Sequence, residues 1–476
     1  TTINADSLDR VFQVFPNKTL KLIDLTITDG KTNDGKGGGG ILNSGNLLLD
    51  NVVITGNETD KNGGGLLSEP NSSVSAIKSI FSENVSEENG GGIYIDNSST
   101  ADFNKVDILG NKITPPDISI NTSGKDVKGG GIFIGSNAEA TIIEANISNN
   151  LALGYKVGDA VYYFRNNDPA KIYSGNYGQH LPGTIPDADF PSYSYNFQIT
   201  NGSFDSKGGG IYSEGNLELI SSLISANSVQ HSNSKDFIVE EVASRRVTRT
   251  HTGWPYQNYS GGQSSKEYVQ QKKVYQSWTT TPKSFGEAIY SGGDGKTLIK
   301  NSTITSNLGE EQDNEDTIIF SKNTSEILNS TIAFNTGGIA VNQNDGEFKI
   351  GNTIIAKNSG SETPDVKGSF ISLGNNIIGD GSGSNGFSSE KNDQIGTPST
   401  RINPLLSELS DNGGYSKSLA LKQGSPAIDA GNNDLNEGLD QRSYLRPING
   451  RVDIGAYESF SSPFTISASD VTILEG

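Results

Sequence analysis

Residues Asn89–Lys112 read NGGGIYIDNSSTADFNKVDILGNK. Three glycines lead into a run that alternates apolar and other side chains. A small polar turn follows, and a second alternating run closes on an asparagine. The chain writes both halves again and again. The glycine phrase returns as KGGGGIL at Lys36–Leu42, NGGGLL at Asn62–Leu67, KGGGIF at Lys128–Phe133 and KGGGIY at Lys207–Tyr212, with degenerate copies GEAIY at Gly286–Tyr290 and TGGIAV at Thr336–Val341. The second half, N-x-x-I-x-x-N with drift, returns as NVVITGN at Asn51–Asn57, NSTITSN at Asn301–Asn307, NSTIAFN at Asn329–Asn335 and NTIIAKN at Asn352–Asn358. Its closing residue falls at Asn57, Asn84, Asn111, Asn150, Asn227, Asn307, Asn335 and Asn358; the first two intervals are 27 residues, the last two 28 and 23. Short strands recurring at such an interval mark a solenoid.

Strand alternation sets the faces within one unit. Ile93 and Ile95 share a face, and by strict period so do Phe103, Lys105 and Asp107, with Val106 and Ile108 on the other. The phase flips near Asn104, which predicts a bend between two short strands. Equivalent strands of successive coils then pair in parallel, about 4.8 Å apart. Equivalent asparagines are expected to stack as a ladder at one corner, each amide bonding the next. The glycines are expected at a tight corner where a Cβ would meet the neighbouring coil. A phosphate cradle needs a helix after the glycines, and none follows. Ile54, Ile108, Ile147, Ile224, Ile304, Ile332 and Ile355 should form one buried row, and Ile93, Ile132, Ile211 and Ile289 a second.

Composition agrees with a narrow core. Only 32% of the 476 residues are hydrophobic, while glycine alone numbers 58. A solenoid coil buries few side chains and turns often, so a low apolar fraction suffices. There is no cysteine and no methionine, so disulfides, thiol chemistry and Cys-ligated zinc are excluded. The net charge of −19 argues against nucleic acid and anionic lipid as general partners. No apolar run approaches the ~20 residues of a membrane span. The chain opens at Thr1 without a signal peptide and is read as a trimmed piece.

These phrases resemble right-handed parallel β-helix proteins of bacterial surfaces. The pairing of GG-x-I with F-x-x-N, here FSEN at Phe81–Asn84, resembles polymorphic outer-membrane-protein repeats. The C-terminal part, with DVKGSFISLGNNIIGD at Asp365–Asp380, NPLLSELSDNGGYSKSLALKQGSPAIDAG at Asn403–Gly431 and DQRSYLRPINGRVDIGAYE at Asp440–Glu458, resembles the choice-of-anchor Q group of secreted or surface β-helix proteins. The resemblance implies an all-β, right-handed parallel β-helix and an extracellular or cell-surface location. It carries no catalytic residues. The tail FTISASDVTILEG resembles the opening strand of a following surface module.

The expected organisation is about ten coils over residues 1–460, roughly 50 Å long at ~4.8 Å per coil. Residues 381–460 would form a C-terminal cap, and 461–476 a linker or the start of a further module. A short insertion, KITPPDISINTSGKDV, widens one interval to 39; two long ones, 151–195 and 229–285, give intervals of 77 and 80. NFQITNG at Asn196–Gly202 restates DLTITDG, so the coil pattern is expected to resume there. Both long insertions follow the same point of the cycle, so they should emerge on one side and pack into a lateral lobe.

Any chemistry is expected in that lobe. The long insertions hold eleven of seventeen tyrosines, both tryptophans, all three histidines and four of nine arginines. From Val229 to Phe285, five lysines and three arginines face four acids, a net +4 in an acidic chain. Tyr163, Arg165, His180, Arg245, Arg246, Arg249, His251, Trp254, Tyr256, Tyr259 and Trp278 are the candidate ligand-binding residues. One reading makes the aromatics the small core of the lobe, which a hairpin needs in order to stand alone. Another makes them a platform, because Tyr and Trp stack on sugar rings while Lys and Arg attract carboxylate or sulfate.

The leading expectation is a non-enzymatic surface or adhesion module, its partner an anionic polysaccharide or another surface protein. The alternative is a polysaccharide lyase, which needs a base of pKa 7–10 and a neutraliser of the uronate carboxylate, often Ca²⁺. No D-P-H triplet and no hydrolase-like Asp pair occurs in the coils. No cofactor is expected, although DNGG at Asp411–Gly414 and GNNDLNEGLD at Gly431–Asp440 could hold Ca²⁺ or be ordinary Asx turns.

Overall fold

The computed structural model describes residues 1–116, 126–154, 205–230, 283–309, 316–360 and 362–460. Within the long insertions it describes only the backbone of six short strands. The described chain is almost wholly β, and its coils stack as a parallel β-helix: strand after strand pairs in parallel with its equivalent one coil away. No described helix is long and apolar enough to cross a membrane.

The quoted stretch shows why the coil closes. Ile93 and Ile95 point inward from the first strand; Ala101 and Phe103 do so from Thr100–Asn104, and Ile108 from Asp107–Leu109. Lys105 adopts φ +56°, which turns the chain so that Phe103 and Val106, three positions apart, both reach the core. This left-handed bend recurs at Asp24, Asn51, Lys78, Lys105, Glu144, Ser221, Asn301, Asn329, Asn352 and Asn375, with φ between 46° and 56°. Most of these are Asn, Asp or Ser, whose short polar side chains suit that region better than branched ones. The bends count ten coils among the described residues.

Two apolar rows fill the column. One runs Ile27, Ile54, Phe81, Ile108, Ile147, Ile224, Ile304, Ile332, Ile355, Ile378, each fully buried and paired with the next in register. The other runs Ile41, Leu66, Ile93, Ile132, Ile211, Ile289, Ile319, Val341, Val366. Burying one such side chain contributes about 2 kcal/mol, and a one-residue register slip would expose a whole row.

The corners are polar and equally regular. The Nδ2 of each ladder asparagine, from Asn57 to Asn335, donates to Oδ1 of the next at 2.9–3.1 Å. The backbone N–H donates to the same oxygen. Each amide also reaches a carbonyl of the preceding coil, so these buried groups are satisfied. The ladder ends on a carboxylate: Asp365 Oδ1 accepts from Asn358 Nδ2 at 2.9 Å. A second ladder lies just past the bend, through Ser222, Ser302, Ser330, Thr353 and Asn376, and it too ends on an aspartate, Asp393. At the glycine corner the coils touch. A Cβ on Gly91 would sit 2.2 Å from the carbonyl oxygen of Gly130, and one on Gly92 would sit 2.7 Å from Asn111 Cγ.

Residues 384–397 complete the last coil, pairing Ser384–Asn385 and Gln394–Ile395 onto the strands before them. Residues 403–460 then run back along the flank as a strap. Its hairpin, Leu406–Ser410 with Ser418–Leu421, and residues Ala427 and Ile454 pack on Ala333, Ile354, Ala356 and Ile377. Those four alternate with the inward isoleucines and so face outward. At the corresponding places the first coil carries Thr26 and Thr28, and the next two mix apolar with polar residues, Val53 with Thr55 and Ile80 with Ser82. Strap hydrogen bonds extend from Asn375, through Asn352 and Thr331, to Glu144 and Lys105.

The DQRSYLRPINGRVDIGAYE segment locks the strap. Arg442 donates twice to Asp440, at 2.8 and 2.6 Å, and its guanidinium lies 3.6 Å over the Tyr457 ring. Arg446 donates to the carbonyls of Asp453 and Gly455, and Glu458 accepts from the N–H groups of Ile448 and Asp453.

Candidate functional site

Three successive coils open at the same corner. The chain leaves the solenoid after Lys112–Ile113, Leu151–Leu153 and Ser228–Gln230, strands that pair in parallel with one another. It returns through Val127–Lys128, Ser206–Lys207 and Ser284–Phe285, which form their own parallel sheet. The flanks of each excursion therefore keep their ladder bonds. Leu151–Leu153, Ser228–Gln230 and Ser284–Phe285 belong to the coils, because Ala152 and Val229 continue the buried corner row begun by Ile113. The insertions thus begin after Leu153 and Gln230, later than 151 and 229, and the second ends before Ser284. Residues 196–202 lie outside the described residues, and the coil pattern is described again from Asp205.

Beside the return strands stands an outward column of aromatics, one per coil: Tyr94, Phe133, Tyr212, Tyr290 and Phe320. Successive ring centroids are 4.4, 5.2, 4.9 and 5.2 Å apart, and the rings stack nearly parallel. Alternation explains the direction, since Ile211 and Ser213 flank Tyr212 and face inward. The return strands supply the cover. Lys128 lies 4.9 Å over the Tyr212 ring and Lys207 lies 5.9 Å over Tyr290, while Lys322 lies 5.6 Å over Phe320.

Charges tie this cover together. Glu214 accepts from the Tyr212 hydroxyl at 2.9 Å, from Ser136 Oγ at 2.9 Å and from Lys128 Nζ at 3.2 Å. Burial pushes its carboxyl up, but Lys128 and these hydrogen bonds outweigh burial and hold it below the usual range. Lys207 pairs with Asp126 at 2.6 Å and Asp205 at 3.3 Å. Burial works against its charge, and the two carboxylates more than restore it, so its pKa lies above the ordinary lysine value. Burial raises the hydroxyls of Tyr94, Tyr212 and Tyr290. Near neutral pH Glu214 therefore stays ionised, Lys207 stays charged and the three hydroxyls stay protonated.

The candidate residues in the insertions fall mostly outside this description. Tyr163 lies in Ala160–Phe164 and Arg249 in Val247–Arg249. Arg165, His180, Arg245, Arg246, His251, Trp254, Tyr256, Tyr259 and Trp278 lie outside the described residues. Ala160–Phe164 of the first insertion pairs antiparallel with Gln270–Val274 of the second, which also pairs with Val239–Glu241. The two candidate Ca²⁺ stretches spend side chains on turns. Asp411 accepts from Gly413 N–H, Asn432 from Asp434 N–H and Asn436 from Gly438 N–H. Among the described residues no group of three or more His, Asp or Glu is placed to hold a metal. The aromatic column was missed in the sequence, although its signal is there: the second residue after the glycine triplet is Tyr94, Phe133 and Tyr212 in turn.

Residues 78–96 match the family model of the Chlamydia polymorphic membrane protein repeat. The matched residues span less than one coil, and they include the FSEN and GGGIY phrases. No curated protein and no solved structure matches the chain.

Proposed function

We propose that this chain is a surface-displayed, non-enzymatic β-helix module of a bacterial protein, and that its insertion-bearing edge binds an acidic polysaccharide. The observation that carries the reading is the shared corner: three excursions leave one edge of a rigid scaffold, next to lysines held over aromatic rings. Recognition usually resides on loops held by such scaffolds. The net +4 of residues 229–285 on a chain of −19 supports an anionic ligand. The repeat match, to a type named for membrane proteins of a bacterium, supports surface display.

A glycan screen at low salt is expected to return acidic polysaccharides, with affinity falling as salt is raised. Replacing Arg245, Arg246 and Arg249 together by Ala is expected to weaken binding about tenfold or more while the melting temperature stays put. A screen with no anionic hits removes the binding reading. Release of unsaturated uronate, seen as rising ultraviolet absorbance, would replace it with the lyase.

A further inference from the structure

A groove of about 510 Å³ runs between the strap and the coils, and the insertions do not line it within the described residues. Its floor on the solenoid side is the position just before the ladder asparagine, occupied in successive coils by Ser306, Phe334 and Lys357. Its far wall is the strap hairpin, with Leu405, Glu408, Leu409 and Lys422.

Phe334 is the unusual member. The backbone at this column is left-handed from coil to coil; Gly56, Gly110 and Asn149 adopt it readily, Glu83, Ala226, Ser306 and Lys357 hold it too, and Phe334 is the one aromatic among the described residues of the column. Phe334 holds φ +59° and leaves 37% of its surface exposed. A bulky side chain in this region is strained, and the strain here is not repaid by burial. Neither the turn nor the core calls for phenylalanine. The exposed ring faces a cleft whose rim carries two lysines, Lys357 and Lys422, and neither has an ion-pair partner among the described residues. One acid, Glu408, stands opposite.

We infer that this groove is a saccharide subsite, with Phe334 as the stacking platform for one sugar ring and Lys357 and Lys422 as the receptors for its carboxylate or sulfate. An apolar ring flanked by cations matches a pyranose, whose C–H face is apolar and whose substituent is anionic. The groove lies on the edge from which the insertions leave, two to three coils farther along. At ~4.8 Å per coil that is roughly 10–15 Å, within reach of one polymer lying along the rod. The inference extends the acidic-polysaccharide reading to a place that reading does not use, and can fail separately.

Titration of the full chain with short oligogalacturonates and with sulfated dextran, followed by calorimetry at low salt, tests it and tells carboxylate from sulfate. Phe334→Gly is expected to weaken binding about 3- to 10-fold, the worth of one ring contact, while the melting temperature holds or rises because glycine relieves the backbone. Lys357→Ala with Lys422→Ala is expected to flatten the salt dependence without unfolding. Wild-type affinity in Phe334→Gly overturns the subsite, and if the triple arginine variant alone loses binding the insertion reading survives it. Loss in Phe334→Gly with an unaffected arginine variant upholds the groove and removes the insertions. No binding of either probe by the wild type overturns both.

Discussion

The ladders end on carboxylates, and the choice of Asp over Asn has a measurable effect. Burial pushes Asp365 up to about 6, even though Asn358, the N–H of Asp380 and the charge of Arg401 all pull the other way. The ordinary value is 3.8. A folded-state pKa raised above the unfolded one means the folded chain binds the proton more tightly. This group therefore weakens the fold above pH 6, and that penalty is relieved as pH falls from 6 towards 4. Between pH 7 and pH 4.5 the relief amounts to about 2 kcal/mol. Asp365→Asn keeps the acceptor for Asn358 and lacks the titration. Denaturant unfolding at both pH values should show the wild type gaining about 2 kcal/mol relative to the variant. Identical pH dependence would mean that Asp365 does not titrate in this range.

At the scale of elements, the strap depends on a few buried charges. Arg442 and Asp440 are both nearly inaccessible, and their ion pair closes at 2.6 Å. Arg442→Ala should cost about 3 kcal/mol or more, since it leaves a buried charge unpaired. The expected signs are a lower melting temperature and new proteolytic cleavage within residues 403–460. Survival of the strap against protease would show that its apolar contacts suffice. The coils were legible in the sequence because stacking imposes one residue type per corner. Ile108 and Asn111 recur for reasons any neighbouring coil shares, and the bend at Lys105 announces itself as a phase flip. The strap was less legible. Nothing periodic marks residues 403–460, and its seat, Ala333, Ile354, Ala356 and Ile377, reads as ordinary strand until the outward direction is known. The charged cover of the aromatic column was hidden for the same reason: Lys128, Lys207 and Glu214 meet only across coils.

For the whole molecule, the strap divides the rod. Its hydrogen bonds reach no farther towards the N-terminus than Lys105. Among the described residues, coils built on Thr19–Thr28 and Asn46–Thr55 are held by their neighbours alone, whereas those from Thr303 to Ala356 are also clamped from outside. In a solenoid, stability is close to a sum of nearest-neighbour terms. Native-state hydrogen exchange should therefore show the first coils opening at lower free energy than the strapped ones; uniform protection along the rod would argue against the clamp.

The strap also decides how the rod carries a load. Because residues 403–460 double back, the described fold ends at Phe460, against Tyr444 on the flank, and not at the tip formed by Gln394–Ile395. Tension applied through that end enters the side of the solenoid near Thr331 and Asn352. It loads the strap in shear, with many contacts strained together, instead of peeling the final coil one ladder bond at a time. A load borne on the flank, one or two coils short of the tip, lets the last coil stay folded under a pull that would unzip it from its tip.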